Sequence, residues 1–231
     1  MPLTAAPLTA APPHLALFDL DHTLLDINSG TRWLLAEWRG GHIGAGTLLM
    51  GGWWIGRYAL GDNTLDAALD AAAAVYRDLP EQELADRVAA WFHGEIASHA
   101  RPGGLRALQE HRDRGDLCVL ATTSSQYAAR CAVERFGLDD AVCTVIEAEQ
   151  GRLTGRIARS AYGRHKLDRC LDWAEVHGHD LAHATFYTDS YTDLPLLERV
   201  GQPRVVHPDR RLRRVAVERG WEIIDWGSAS R

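Results

Sequence analysis

The chain has 231 residues, 46% hydrophobic and 24% charged, a composition suited to a soluble globule with a sizeable core. It excludes a disulfide-stapled miniprotein, a fibrous repeat and a largely disordered chain. The net charge of −6 gives no overall pull toward nucleic acid or anionic lipid. Cys118, Cys131, Cys143 and Cys170 are widely spaced with no C-x-x-C pair, and read as reduced thiols of an intracellular, cytoplasmic protein. Lysine and arginine together number 25, yet Lys166 is the only lysine. A lone lysine is either chance or the mark of a place where a compact ammonium serves and a planar guanidinium does not fit.

In chain order, residues 1–13 are Ala/Pro-rich and have neither a basic start nor an unbroken apolar run, so they read as a disordered tail rather than a secretory signal. His14 to Phe18 is a short apolar run, a buried strand ending at Asp19. Residues 29–100 then look all-helical. Within them Ile43 to Leu60 is the most membrane-like stretch; a buried helical hairpin is the expectation and a helix lying on a membrane surface the alternative, with no stable insertion. Thr64 to Arg77 is alanine-rich, and Gln82 to Ser98 places its apolar residues mostly on one face. Trp33, Trp38, Trp53, Trp54 and Trp91 are expected in the core of this helical segment.

Strand-like runs then alternate with helical patterns. The strands are Asp116 to Ala121, Ala141 to Ile146, Ala184 to Thr188, Arg204 to His207 and Trp221 to Ile224. The helices are Pro102 to Asp113, Gln126 to Phe136, His165 to Val176, Asp193 to Val200 and Pro208 to Arg219, two of them beginning on a proline. Gly151 to Ile157 reads as a hairpin-like excursion. The alternation predicts an α/β core, a Rossmann-like three-layer parallel sheet over residues 14–28 and 101–231, with an all-α cap inserted at 29–100.

Carboxylates fall at the strand ends. FDLDHTLLD puts Asp19 and Asp21 just past the first strand; YTDSYTDLPLL puts Asp189 at a later strand end and Asp193 four residues on. Ligands bind at the C-terminal edge of a parallel sheet, so strand ends from remote segments can gather these acids. Crowded carboxylates call for a neutralising hard cation such as Mg²⁺. Thr122, followed by Thr123, Ser124 and Ser125 at a helix start, suits an anion, and Lys166 can hold a phosphoryl oxygen as a point charge.

Together these residues resemble the haloacid dehalogenase superfamily of phosphohydrolases. FDLDHTLLD matches its D-x-D-x-T motif, LATTS its second, GRHKLDRC its lysine motif and YTDSYTDLPLL its acidic pair. The helical insertion resembles the subfamily with phosphoserine phosphatase and histidinol-phosphatase-like enzymes. The resemblance implies that Asp19 is the nucleophile and Asp21 the general acid and then base. It also implies Mg²⁺ held by Asp19, the carbonyl of Asp21 and Asp189, with Asp193 orienting its surroundings, and phosphate bound by Thr122, Thr123 and Lys166. His22 stands where glycine is common in the family, and T-S-S follows Thr122 where phosphoserine phosphatases carry a glycine pair. Asn28, Ser29, Arg32 and Arg57 are candidate cap residues facing substrate. The expected activity is Mg²⁺-dependent hydrolysis of a small phosphorylated metabolite, with no nucleic-acid partner. A phosphotransferase using the same aspartyl-phosphate and a catalytically silent binding protein remain alternatives.

Overall fold

A computed structural model describes residues 13–59 and 65–229, and side chains outside residues 54–68. The expected tail therefore lies, except for Pro13, outside the described residues.

Strand β1 (Leu15–Phe18) is buried along its whole length. It sits at the centre of a seven-stranded sheet with β2 (Leu117–Ser125), β3 (Asp140–Glu149), β4 (Arg152–Arg159), β5 (Thr185–Thr188), β6 (Gln202–Val206) and β7 (Glu222–Ile224). The order is β4-β3-β2-β1-β5-β6-β7. The β3–β4 pair is antiparallel and the other pairings are parallel. The fold is thus α/β with a mostly parallel sheet, and the Gly151 to Ile157 excursion belongs to a full edge strand.

Strand periodicity explains the two cores, because alternate side chains leave opposite faces of the sheet. Ala16, Phe18, Cys118 and Leu120 pack with α5 (Pro102–Asp113) and α6 (Gln126–Phe136). Leu15, Leu17, Val119 and Ala121 pack with α7 (Arg164–His177), α8 (Leu194–Leu197) and α9 (Arg210–Arg219). All four cysteines are buried free thiols within these layers.

The segment between β1 and α5 carries α1 (Ser29–Arg39), α2 (Ala45–Ala59), α3 (Leu65–Ala74) and α4 (Glu81–Trp91). Its outgoing and returning chains run side by side: Asp26 N donates to the His99 carbonyl at 3.0 Å and Arg101 N to the Leu24 carbonyl at 2.8 Å. Leu84, Val88, Trp91 and Phe92 join the same apolar cluster as Tyr127 and Phe136 of α6, so α4 is packed directly on the α/β core. The chain following α3 is also close to β4. Gly155 has φ +74°, and a Cβ there would lie 3.0 Å from Arg77 Cβ and 3.3 Å from Ala74 Cα. Gly155→Ala is expected to destabilise by about 1–3 kcal/mol, read as a lower urea midpoint at unchanged slope, since both the positive φ and the contact oppose a side chain.

Several elements differ from the sequence expectations. Of the hairpin expected over Ile43 to Leu60, Ala45 to Ala59 is one helix, α2, continuous through its glycine pair. Ile43 is buried, but no residue from Ala45 to Trp53 is; Leu60 and the side chains beyond Trp53 lie outside the described residues. Trp91 is buried and Trp33 half-buried, but Trp38 and Trp53 are exposed, and the Trp54 side chain lies outside the described residues. The helix expected over Gln82 to Ser98 ends at Trp91 and continues as a widened turn, Phe92–Ile96, and a 3₁₀ turn, Ala97–His99. α9 starts at Arg210 rather than Pro208, because Asp209 Oδ1 accepts from the N–H groups of Arg211 at 2.7 Å and Leu212 at 2.9 Å. The helix expected from Asp193 is only the four residues of α8, preceded by a 3₁₀ turn, Tyr191–Asp193. Among the described residues no helix is long and apolar enough to cross a membrane.

Candidate active site

The acids converge where the central strands end. Asp19 follows β1 directly, its N–H donating to the Tyr187 carbonyl of β5 at 2.9 Å. The chain then folds into a tight loop, closed by Leu25 N donating to the Leu20 carbonyl at 2.8 Å. His22 occupies that loop at φ 56°. This is the left-handed region, which accounts for glycine being favoured at this place and for His being among the better-tolerated alternatives. Arg101, buried on the returning chain, secures the loop by donating from Nε to the His22 carbonyl at 3.2 Å and from Nη1 to the Gly227 carbonyl.

Lys166 lies in the first turn of α7, 2% exposed. Its Nζ donates to Asp19 Oδ1 at 3.0 Å and to Asp193 Oδ2 at 2.8 Å. Asp193 Oδ2 also accepts from Thr188 Oγ1 at 2.7 Å. Thr23 Oγ1 stands 3.4 Å from both Asp19 Oδ2 and Asp189 Oδ1, so one hydroxyl faces carboxylates from two remote segments. The structure thereby brings Asp19, Asp189, Asp193 and Lys166 into one cluster.

The electrostatics follow from this crowding. Burial, reinforced by Asp193 and Asp21 and opposed by Lys166, pushes the Asp19 carboxyl up to about 7. Burial and the neighbouring carboxylates of Asp19, Asp193 and Asp21 hold Asp189 well above the usual range. Lys166 is held above its ordinary value: burial opposes its charge, but Asp19 and Asp193 outweigh that penalty. The cluster has more carboxylate than one ammonium balances. Two carboxylates facing each other across Thr23, with the Asp21 carbonyl on the same loop, form an all-oxygen set suited to a hard divalent cation that keeps several waters. Among the described residues no three acid, histidine or cysteine side chains form a complete cage, and such a cation does not need one.

Asp21 Oδ1 accepts from Ser29 N, in the first turn of α1, at 2.9 Å. Burial raises its pKa, and the hydrogen bonding from Ser29 partly offsets that rise. Ser29 is buried and its Oγ lies 3.4 Å from Ser124 Oγ at the end of β2, so α1 begins directly at the edge of the acid cluster. Thr122 is buried, and its Oγ1 accepts from Ser124 N at 3.2 Å, leaving its own proton for an acceptor. Thr123 is different: its hydroxyl donates to the Ala161 carbonyl at 3.1 Å, which commits that proton to the backbone and corrects the side-chain phosphate contact expected of it. Asn28 Oδ1 caps α1 by accepting from Thr31 N at 2.8 Å, a structural duty that engages its oxygen. Arg32 is exposed and forms no ion pair among the described residues, and the Arg57 side chain lies outside them. Thr23, Thr188 and Arg101 were not singled out from sequence. Thr23 and Thr188 carried a signal, as hydroxyls within the motifs themselves; Arg101 carried none.

The chain matches the haloacid dehalogenase-like hydrolase family over residues 16–198. It belongs to that family. It is 30% identical over 219 residues to the "Inhibition of morphological differentiation protein" of Streptomyces azureus, covering 93% of this chain and 79% of that one. It is 29% identical over 224 residues to a histidinol-phosphatase of Neisseria meningitidis, covering 92% and 99%. A solved protein of unknown function from Bordetella pertussis superposes with a TM-score of 0.84 at 30% identity, covering 94% of this chain and all of that one.

Proposed function

We propose that the protein is a Mg²⁺-dependent phosphomonoester hydrolase that acts on a small phosphorylated metabolite through an aspartyl-phosphate on Asp19. The observation that carries this reading is the buried Lys166 bridge between Asp19 and Asp193, next to an Asp19–Asp189 pair facing one hydroxyl. The histidinol-phosphatase relative, aligned over nearly its whole length, supports the substrate class.

Asp19 Oδ2, Asp189 and the Asp21 carbonyl would hold Mg²⁺, which supplies positive charge against the phosphoryl oxygens and lowers the repulsion felt by an anionic nucleophile. Asp19 attacks phosphorus, and the ester P–O bond breaks. Lys166 at Oδ1 favours the ionised form of Asp19 against the burial that raises its pKa and, with the Thr122 hydroxyl, stabilises the transferring phosphoryl group. The raised pKa of Asp21 favours its acid form, which gives its proton to the departing alkoxide. Asp21, now a carboxylate, takes a proton from water as that water attacks phosphorus; the P–O bond to Asp19 breaks and inorganic phosphate leaves. Ser29 N fixes the Asp21 carboxyl throughout.

A leaving-group comparison tests the role of Asp21. Asp21→Asn is expected to lower kcat for an alkyl phosphate by about 10²–10⁴-fold, with a much smaller loss for p-nitrophenyl phosphate, whose phenolate needs little protonation. Equal losses on both substrates would remove Asp21 from proton transfer. Failure of the wild-type protein to hydrolyse any ester in a panel of phosphorylated metabolites with Mg²⁺ would overturn the whole reading.

A further inference from the structure

We propose that the outer face of α2, together with the end of α1, docks on an anionic lipid bilayer surface. α2 reads AGTLLMGGWWIGRYA, apolar nearly all round, a pattern that ordinarily demands burial on every side. Yet no residue from Ala45 to Trp53 is buried. Leu49 is 74% exposed, Trp53 53%, and Met50 and Trp38 46% each. The other exposed large apolar side chains among the described residues, Val75, Leu105, Val176 and Val217, are scattered.

The exposed groups share one side. α2 rests on α1 through Gly51, where a Cβ would meet the Leu34 side chain at 2.6 Å. At about 100° per residue, Leu49 and Trp53 lie opposite Gly51 and Met50 on the flank beside them. Trp38 continues the α1 stripe one turn beyond Leu34.

Charge selects the occupant. From Trp38 to Gly61 there is no aspartate, glutamate, asparagine or glutamine, although the whole chain carries 31 acids. The charged residues in that stretch are Arg39 and Arg57, with His42 beside them. A protein partner would be met by a rim of mixed polar groups. An acid-free stretch that exposes Trp, Leu and Met, with exposed Arg39 next to Trp38, instead matches an anionic headgroup layer, where indoles reside at the interface and arginine pairs with lipid phosphate. The 15 residues of α2 extend about 22 Å, short of the roughly 30 Å hydrocarbon layer, so the helix lies in the plane of the membrane.

The full chain tests this by flotation with vesicles of phosphatidylcholine alone or mixed with phosphatidylglycerol. The expected result is binding to the phosphatidylglycerol vesicles, weakened by salt, with a blue shift of tryptophan emission and quenching by brominated acyl chains. Leu49→Glu combined with Met50→Glu is expected to cut binding by at least about tenfold, with the circular dichroism and unfolding midpoint preserved because both side chains are exposed. The proposal is overturned by absence of flotation with either vesicle, by equal flotation of the double variant, or by a dimer in solution that the two substitutions dissociate.

Discussion

Asp19→Asn is expected to lower kcat by roughly 10⁴-fold or more while the protein stays folded, measured as initial rates against a phosphate ester alongside urea unfolding. Asparagine keeps the shape and can still accept from Lys166, but it cannot form the proposed acyl phosphate. The stability readout separates this from damage to the fold. The folded Asp19 carboxyl is pushed up to about 7, from an ordinary value of 3.8. Between those values the native state binds the proton that the unfolded state has lost, so this group's contribution falls as pH rises from about 4 to about 7. In a chelator, Asp19→Asn should therefore be more stable than the wild type at pH 8, on the order of 2–4 kcal/mol, with the gap closing toward pH 4. A variant that is both inactive and less stable at pH 8 would contradict this account.

The second large effect belongs to the lone lysine. Lys166→Met should destabilise the protein by about 3–5 kcal/mol at neutral pH, because it leaves Asp19 and Asp193 buried without their shared ammonium. Lys166 is held above its ordinary 10.5, so its stabilisation is complete throughout the neutral range and is lost only as pH rises through the elevated value. The deficit of the variant should shrink as acid protonates the two carboxyls. Lys166→Arg is the sharper test. The slot is 2% exposed and takes one nitrogen between two carboxylates 3.0 and 2.8 Å away. A planar fork cannot reproduce that geometry, so arginine should leave the rate at least about 10²-fold down despite retaining the charge. Near-normal turnover with arginine would show that charge alone matters.

The distribution of these residues explains what the sequence disclosed. Asp19, Asp21, Asp189 and Asp193 were legible because strands ending in acids form a local pattern and parallel strand ends must meet at one edge. Lys166 was legible by composition, as the exception among arginines. Arg101 was not, since its role depends on the chain returning beside its own exit after some seventy residues. Thr123 was misread because one residue of rotation at the end of β2 sends a hydroxyl to Ala161 instead of the acids. The apolar run containing α2 was read correctly as helical and, from Ala45 to Trp53, wrongly as buried, because periodicity reports what a helix could cover and not whether anything covers it.

The paired chains at Leu24–Asp26 and His99–Arg101 give the helical segment a two-ply stem. A second tie lies at the sheet edge, where Asp78 N donates to the Leu153 carbonyl at 2.8 Å, Leu153 N to the Leu79 carbonyl at 2.9 Å and Glu81 N to the Gly151 carbonyl at 2.9 Å. With α4 packed on the core as well, two separated tethers oppose rotation of the segment about its stem. Ser29, three residues past Asp26, is thereby kept in register with the Asp21 carboxyl it donates to.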